Sequence, residues 1–432
     1  MKILRKTKEI ETFLKLLRER ASGSSGDIDK SVMRILSNVR KHGDRAVIKY
    51  TGKFDSLKLQ DLRIKPAEIT RHADKADKKV LKALELAAKR IKTFHEMQKE
   101  ESWFFSENET MLGQIVRPLE RVGAYVPGGK ASYPSSVLMN VIPAQVAGVN
   151  EIALCVPTPK GETNPYVMAA IMMVGIKEVY RIGGAQAIGA MAYGTQTIKK
   201  VDKIVGPGNI YVATAKKMVF GEVDIDMIAG PSEILIIADK NANPVFIAAD
   251  LLSQAEHDEL ASSILVTDSK ALATAVQREL LRQLAHLNRR DIATKSIKNY
   301  GAIIMAKDLK EAVKLANEIA PEHLEVMTKE PEKLLPLVRN AGAVFLGQWT
   351  PEPIGDYIAG PNHTLPTGGT ARFSSPLGVY DFVKRTSLLS FSREDFMKLA
   401  RPVLDIAGIE GLDAHGNTVR VRLDGRKLLP AG

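Results

Sequence analysis

The 432-residue sequence has a single cysteine, Cys155, and few aromatic side chains, which make up 6% of it. One sulfur can form neither an internal disulfide nor a thiolate metal cluster, so we expect a reducing compartment. No apolar run approaches the roughly 18–20 residues of a membrane span, and the first 20 residues lack the uninterrupted apolar core of a signal peptide. These absences predict a cytoplasmic protein with no membrane contact.

The rest of the composition is that of an ordinary globular protein, with 45% hydrophobic and 26% charged residues. Fibrous, disordered and disulfide-scaffold proteins are thereby excluded. The net charge of +11 raises the alternative of a basic nucleic-acid-binding protein. However, the excess lies in residues 1–20, 268–300 and 420–432, which are two chain ends and one segment with the period of a solvated helix face. We therefore expect no nucleic-acid partner.

Short apolar runs rich in valine and isoleucine alternate with alanine-rich helical patterns from about residue 121. The candidate strands are residues 121–126, 151–156, 178–183, 203–206, 233–238, 262–267, 301–306 and 342–347. This alternation predicts an α/β protein with parallel sheets, and we favour two doubly wound domains over one large sheet. Residues 1–120 are predicted to be mostly amphipathic helix. After residue 375 we expect a helix in SREDFMKLARPVLDIAGIEGL and a short strand in VRVRL.

Three glycine-rich loops each follow a predicted strand and lead into a helix: YVPGGKASYPSS, IGGAQAIGAMAYG and VGPGNIYVATAK. Free backbone N–H groups at such helix starts can bind a pyrophosphate. None of the loops matches the G-x-G-x-x-G fingerprint, and glycines that only make turns are the alternative. Their clustering favours an anion or nucleotide ligand.

A candidate metal site lies at the end of the segment NPVFIAADLLSQAEHDE, in which Asn243 and Pro244 predict a helix start. Asp250, Gln254 and His257 then share one helix face. Oxygen and imidazole ligands on one face can hold a divalent metal such as zinc. A polar helix end is the alternative interpretation of the same pattern.

Candidate catalytic groups stand on irregular segments further along the chain. Glu322 and His323 follow a proline in IAPEHLEV, and such a pair can supply a general base and a second proton acceptor. Asp356 and His363 lie in PIGDYIAGPNHTLPT, which is too rich in glycine and proline for regular structure; long irregular segments are often functional. His415 lies in EGLDAHGNTV, near the C-terminal end.

Together these segments resemble the histidinol dehydrogenase family. The matching stretches are VGAYVPGG, IGGAQAIGAMAYGT, VDKIVGPGN, DMIAGPSE, ADLLSQAEHD, PEHLEV, GDYIAGPNHTLPT and EGLDAH, in family order over residues 121–415. The resemblance implies a two-step, NAD-linked oxidation of L-histidinol via L-histidinal to L-histidine, the last step of histidine biosynthesis. It also implies one zinc ion per subunit. A related zinc- and NAD-dependent dehydrogenase of another small polar alcohol is the alternative.

The resemblance also implies roles for individual residues. The zinc ligands would be Gln254, His257, Asp356 and His415, with Glu410 and His415 supplied by the other subunit of a homodimer. His323 would deprotonate the alcohol, and Glu322 would activate water against the aldehyde. Substrate contacts would be made by Ser232, Gln254, His257, His323, Asp356, His363, Glu410 and His415, and dinucleotide contacts by Tyr125, Gln186 and Asn209. Cys155 lies in an apolar run and is expected to be inert.

The family fold implied is α/β, with two incomplete Rossmann-like, doubly wound domains and small N- and C-terminal segments exchanged in the dimer. The expected divisions are an N-terminal helical arm (1–20), a first domain with the metal and catalytic residues (21–120 and 240–375), a second domain with the dinucleotide loops (121–239) and a C-terminal dimerisation arm (376–432).

Overall fold

The computed structural model describes residues 1–21, 26–128 and 133–424, which form two parallel sheets, one antiparallel sheet and the helices around them. The helices are α1 Thr7–Ala21, α2 Gly26–His42, α3 Asp44–Phe54, α4 Pro66–Ala73, α5 Lys78–Glu96, α6 Pro134–Ala147, α7 Pro165–Met173, α8 Gly184–Tyr193, α9 Ile210–Val219, α10 Pro244–Ala255, α11 Lys270–Leu284, α12 Arg290–Tyr300, α13 Leu309–Ile319, α14 Glu352–Ile354, α15 Arg393–Ile409 and α16 Asp413–Asp424. The strands are β1 Lys2–Leu4, β2 Trp103–Glu107, β3 Thr110–Pro118, β4 Arg121–Tyr125, β5 Glu151–Cys155, β6 Glu178–Tyr180, β7 Lys203–Val205, β8 Asp224–Ile225, β9 Glu233–Ala238, β10 Ser262–Thr267, β11 Gly301–Met305, β12 His323–Met327, β13 Ala343–Leu346 and β14 Val383–Ser390.

The five-stranded sheet is wholly parallel, in the order β6-β5-β4-β7-β8. Its central strands are buried on both faces, as parallel strands with apolar residues throughout require. Helices α5, α6 and α7 contribute to the apolar core on one face, and α2, α3, α8 and α9 contribute to the core on the other. Cys155 lies in this second core and is fully buried, as expected for an inert thiol.

The six-stranded sheet is also parallel, in the order β1-β11-β10-β9-β12-β13. Successive side chains of a strand point to opposite faces. Thus Ile234 packs with α10, α11 and α12, whereas Leu235 packs with α1 and α13. His323 at the start of β12 pairs with Ile234, so Glu322 and Glu233 come to the same edge of the sheet.

Residues 100–118 and 383–432 form a separate unit. Within it, β14 pairs antiparallel with β3 over eight residues, and β2 pairs with the other side of β3. Ser392 caps α15 by accepting a hydrogen bond from the Asp395 N–H. Asp395 in turn accepts a 2.9 Å hydrogen bond from the Thr110 hydroxyl, which ties α15 to this sheet.

All eight predicted strands are present, and the predicted α/β class with parallel sheets is confirmed. The predicted helix after residue 375 is present as α15. The strand predicted in VRVRL is wrong, because these residues lie in α16 and the alternation is too short to outweigh its helical context. The prediction that residues 1–120 are mostly helical missed β1, β2 and β3, and the sequence analysis also missed β8, β12 and β14.

Three segments belong to a different sheet from the one that the expected domain boundaries imply. Residues 233–238 were assigned with 121–239, but hydrogen bonding to β10 and β12 places them in the six-stranded sheet. Helices α2 to α5 were assigned with 240–375, but their apolar faces pack on the five-stranded sheet. The expected N-terminal arm begins with an edge strand, and α1 packs on the six-stranded sheet through Leu14 and Leu17.

Among the described residues, no helix combines the length and apolar character that a bilayer crossing requires.

A buried ion pair holds the loop after β7. Lys216 of α9 is 1% exposed; its Nζ donates to the Gly206 carbonyl at 2.9 Å and contacts the Asp226 carboxylate. Asp226 also accepts a 2.7 Å hydrogen bond from the Gly206 N–H. Gly206 has a φ of 112°, and a Cβ there would lie 2.1 Å from the Tyr125 carbonyl oxygen, so the position requires glycine.

Replacing Lys216 by methionine is expected to lower the free energy of unfolding by about 3–5 kcal/mol, because Asp226 would keep a buried, unpaired charge. Urea denaturation followed by circular dichroism measures this loss. The exposed neighbour Lys217 is the matched control, and Lys217→Met should change stability by less than about 0.5 kcal/mol. Equal stability of the two variants would contradict the structural role of the pair.

Candidate active site

Glu322 and His323 are both held by the main chain of Glu233 on the neighbouring strand. His323 Nδ1 lies 3.0 Å from the Glu233 carbonyl oxygen, so it carries a proton and donates it. The other ring nitrogen, Nε2, is then the atom that gains or loses a proton; it is buried and has no hydrogen-bond partner within the described residues. Glu322 Oε2 accepts a 2.9 Å hydrogen bond from the Glu233 N–H. One peptide segment therefore orients both side chains.

The pKa values of Glu322 and His323 are shifted because both side chains are buried among carboxylates. Burial raises the pKa of Glu322 to about 8, and the adjacent His323 opposes this shift. Burial acts to lower the pKa of His323, but the carboxylates of Glu322, Asp356 and Glu352 raise this pKa to about 10. The protein interior around Glu322 and His323 thus favours protonation or the binding of a cation.

Further acidic groups line the same region. Glu352 is 2% exposed; its N–H donates to Glu325 Oε1 at 2.8 Å, and the Ser253 hydroxyl donates to Glu352 Oε2 at 3.0 Å. One ligand atom each from His323, Glu352 and Asp356 lie within 4.8 Å of one another. The sequence analysis missed Glu325 and Glu352. A charged residue inside the apolar strand HLEVM is a signal that could have identified Glu325.

Three of the four expected zinc ligands belong to this region. Gln254 at the end of α10 is fully buried, its Nε2 lies 3.0 Å from His257 Nδ1, and its Oε1 has no hydrogen-bond partner among the described residues. Asp356 Oδ1 lies 3.6 Å from His323 Nε2. Burial acts to raise the pKa of Asp356, but His323, together with the charges of His363 and His257, holds this pKa below its usual value.

This donor set fits a zinc ion. An amide oxygen buried without a partner is costly unless a cation or donor satisfies it. Imidazole, amide and carboxylate groups are also ligands that zinc accepts. The fourth expected ligand, His415, is exposed on α16 in the separate unit of residues 100–118 and 383–432, and Glu410 follows the end of α15 in the same unit.

The expected substrate-contacting residues of the larger unit also border this edge. Ser232 directly precedes Glu233, and its carbonyl accepts a 2.9 Å hydrogen bond from the Ser262 N–H. His363 Nδ1 donates to the Asp356 carbonyl at 3.1 Å, and its Nε2 lies 3.4 Å from the hydroxyl of Ser136. Ser136 is on α6, so this contact joins the surroundings of the two parallel sheets; the sequence analysis missed it.

The expected dinucleotide-contacting residues lie at the carboxyl ends of strands in the five-stranded sheet. The Tyr125 hydroxyl accepts a 3.3 Å hydrogen bond from the Gly184 N–H, so the loops after β4 and β6 meet. Gln186 on α8 is 1% exposed, and its Oε1 has no partner within the described part of the chain. Asn209 caps α9 by accepting from two backbone N–H groups. Residues 129–132 of the first glycine-rich loop lie outside the described residues.

The two sheets therefore present opposite edges. The glycine-rich loops follow the carboxyl ends of parallel strands, where ligands bind in open α/β sheets. Glu322, His323 and Ser232 instead lie at the amino ends of β12 and β9, and α10 returns to that same edge with Gln254. The three glycine-rich loops thus begin where the sequence analysis placed them, after β4, β6 and β7.

Comparisons with known proteins identify one family. The family model described as histidinol dehydrogenase matches residues 18–423. The histidinol dehydrogenase of Syntrophotalea carbinolica is 57% identical over 399 residues, which cover 92% of this chain and 93% of that protein. The one from Aquifex aeolicus is 56% identical over 411 residues, which cover 95% of this chain and 96% of that protein.

A solved structure shows the same fold. The crystal structure of histidinol dehydrogenase from Elizabethkingia anophelis has a TM-score of 0.93 and 37% sequence identity to this chain, and the match covers 98% of both chains. Family model, sequence relatives and structure thus agree over nearly the whole length. The chain belongs to the histidinol dehydrogenase family of oxidoreductases, which use NAD and zinc.

Proposed function

We propose that Glu322 and His323 carry the proton transfers of histidinol oxidation in this protein. The observation that supports this most is the His323 ring, whose Nδ1–H is fixed by the Glu233 carbonyl while the buried Nε2 lies 3.6 Å from Asp356. A general base must present its proton-accepting atom in a fixed place, and the Nδ1 hydrogen bond makes Nε2 that atom.

In the first oxidation, His323 Nε2 takes the hydroxyl proton of L-histidinol as hydride leaves its carbon, which produces the aldehyde. In the second, Glu322 accepts a proton from water as the water oxygen bonds to the aldehyde carbon, and loss of a second hydride gives L-histidine. A carboxylate whose pKa burial raises to about 8 is a stronger base than an exposed one, which suits this role.

When bound, NAD would accept the hydrides, and zinc would supply a Lewis acid that helps to hold the substrate. For zinc, Gln254, His257 and Asp356 would be ligands from one subunit and His415 the ligand from the other. Tyr125, Gln186 and Asn209 would contact the dinucleotide at the five-stranded sheet. Ser232 and His363 would contact the substrate beside the catalytic pair.

A homodimer with exchanged terminal segments is part of this proposal, as are two incomplete Rossmann-like domains and a cytoplasmic location. In the unit of residues 100–118 and 383–432, large apolar side chains are exposed on β2, α15 and the end of β14. They include Phe105, Leu389, Val403, Ile406 and Ile409. Such a surface supports association with a second copy of the chain. Glu410 and His415 lie in this unit and would complete the partner's site.

The proposed activity is tested by NADH formation from L-histidinol and NAD. We expect activity with bound zinc, loss on chelation and recovery when zinc is restored. Other small amino alcohols provide the comparison. A clear preference for one of them, or full activity after verified removal of metal, would contradict the proposal.

The role of His323 is tested by His323→Asn. This variant should lower the rate of alcohol oxidation by about 10²–10⁴-fold, because it removes the proton acceptor. It should keep its zinc, measured by atomic emission, since His323 is not a proposed ligand. Gln254→Ala is the matched variant and should lose zinc. Loss of zinc from His323→Asn would show that its assigned role is wrong.

The shared site is tested by mixing His415→Ala subunits with His323→Asn subunits. In each heterodimer one site would then carry both lesions and the other neither. After statistical exchange we expect recovery of about a quarter of wild-type activity. Subunit exchange is verified with two different affinity tags. Absence of recovery despite exchange would argue that each site is built from a single chain.

A further inference from the structure

The side chain of Glu233 is itself anchored, and its anchor lies on the first helix of the chain. Arg20, at the end of α1, forms an ion pair with the Glu233 carboxylate, with 1% and 8% of the two side chains exposed. Arg20 Nη1 also donates to the Leu260 carbonyl at 2.6 Å, and the guanidinium lies 5.5 Å from the centre of the Tyr300 ring. Arg20 therefore fixes Glu233 from outside the sheet.

Glu233 connects this anchor to the catalytic pair through its main chain. Its N–H donates to Glu322 at 2.9 Å, and its carbonyl accepts from His323 at 3.0 Å. The carboxylate of Glu233 lies near that of Glu322, and like charges in a buried place repel each other. Without the guanidinium, the Glu233 carboxylate would keep a backbone hydrogen bond from Gly368 but lose its counter-charge. Movement toward water or uptake of a proton would then displace its peptide groups.

We propose that Arg20 is a positioning residue for the reaction: by pairing with Glu233, it holds the peptide groups that orient Glu322 and His323. This inference rests on the proposed function of that pair. Arg20 touches neither reacting group, so its influence passes through Glu233 alone. Loss of Arg20 should mainly slow the chemical steps, because neither Arg20 nor the side chain of Glu233 is a proposed contact of histidinol or NAD.

The test is a kinetic comparison of Arg20→Met and Arg20→Lys in the zinc-loaded enzyme. We expect Arg20→Met to lower kcat by about 10–100-fold, since a small misplacement of catalytic groups has effects of this size. KM for histidinol should change less than kcat, because the proposed zinc ligands and His363 lie on other segments of the chain. Arg20→Lys keeps the charge and should recover most of kcat.

Arg121 is the matched control for loss of a buried guanidinium. It is 6% exposed and pairs with Glu151 and Glu178 at the amino ends of strands in the other sheet. Arg121→Met should lower the melting temperature and leave kcat unchanged. If Arg20→Met and Arg121→Met lower kcat equally, Arg20 has only a general structural role and the inference is wrong.

A double-mutant cycle provides the second measurement. Glu233→Gln keeps the main chain and removes the charge, so it should lower kcat as Arg20→Met does. The kcat of the double variant should be no lower than that of the less active single variant, since both changes break the same interaction. If Arg20→Met does not fold, the inference is tested with Arg20→Lys and Glu233→Gln instead. An unchanged kcat in Glu233→Gln would overturn it.

Failure of the proposed function gives a different pattern from failure of this inference. If His323→Asn keeps full kcat, the catalytic pair itself is wrongly assigned. If His323→Asn is inactive while Arg20→Met keeps full kcat, only the positioning role is overturned.

Discussion

Negative charge buried at the amino edge of the six-stranded sheet is the constraint on which the arrangement of the site depends. Four carboxyl groups there are at most 7% exposed, those of Glu233, Glu322, Glu325 and Glu352. Each unpaired buried carboxylate costs several kcal/mol, about the size of a protein's whole stability. The fold offsets this with the Arg20 guanidinium, the His323 ring and main-chain N–H groups aimed at Glu322 and Glu325.

A divalent cation would offset the rest of this buried negative charge. Its proposed ligands include a partnerless amide oxygen of Gln254 and the Asp356 carboxylate, beside a histidine whose pKa the carboxylates raise to about 10. Positive charge bound at Asp356 would offset the field that favours the protonated imidazole. The acidic surroundings therefore favour a bound cation, and such a cation would lower the pKa of His323.

In the proposed function, the two parallel sheets contribute opposite edges to the site. The five-stranded sheet offers its carboxyl edge, where a buried Lys216–Asp226 pair holds the loop that begins at Gly206. The six-stranded sheet offers its amino edge, to which α1 and α10 both return. The contact between Ser136 and His363 joins the surroundings of these edges. A hydride donor and its acceptor can thus be held by different sheets of one chain.

Much of this protein was determined by the sequence alone. Apolar runs of valine and isoleucine located eight strands correctly, because a strand buried on both faces requires them, and the motif order identified the family. The sequence could not assign strands to sheets: Glu233 begins a run that looks like its neighbours, and only hydrogen bonding to β10 and β12 places it. It also could not show that Arg20 meets Glu233 across more than two hundred residues. Such pairings are set by how helices and strands pack, and packing brings together residues whose local sequence carries no record of their partner.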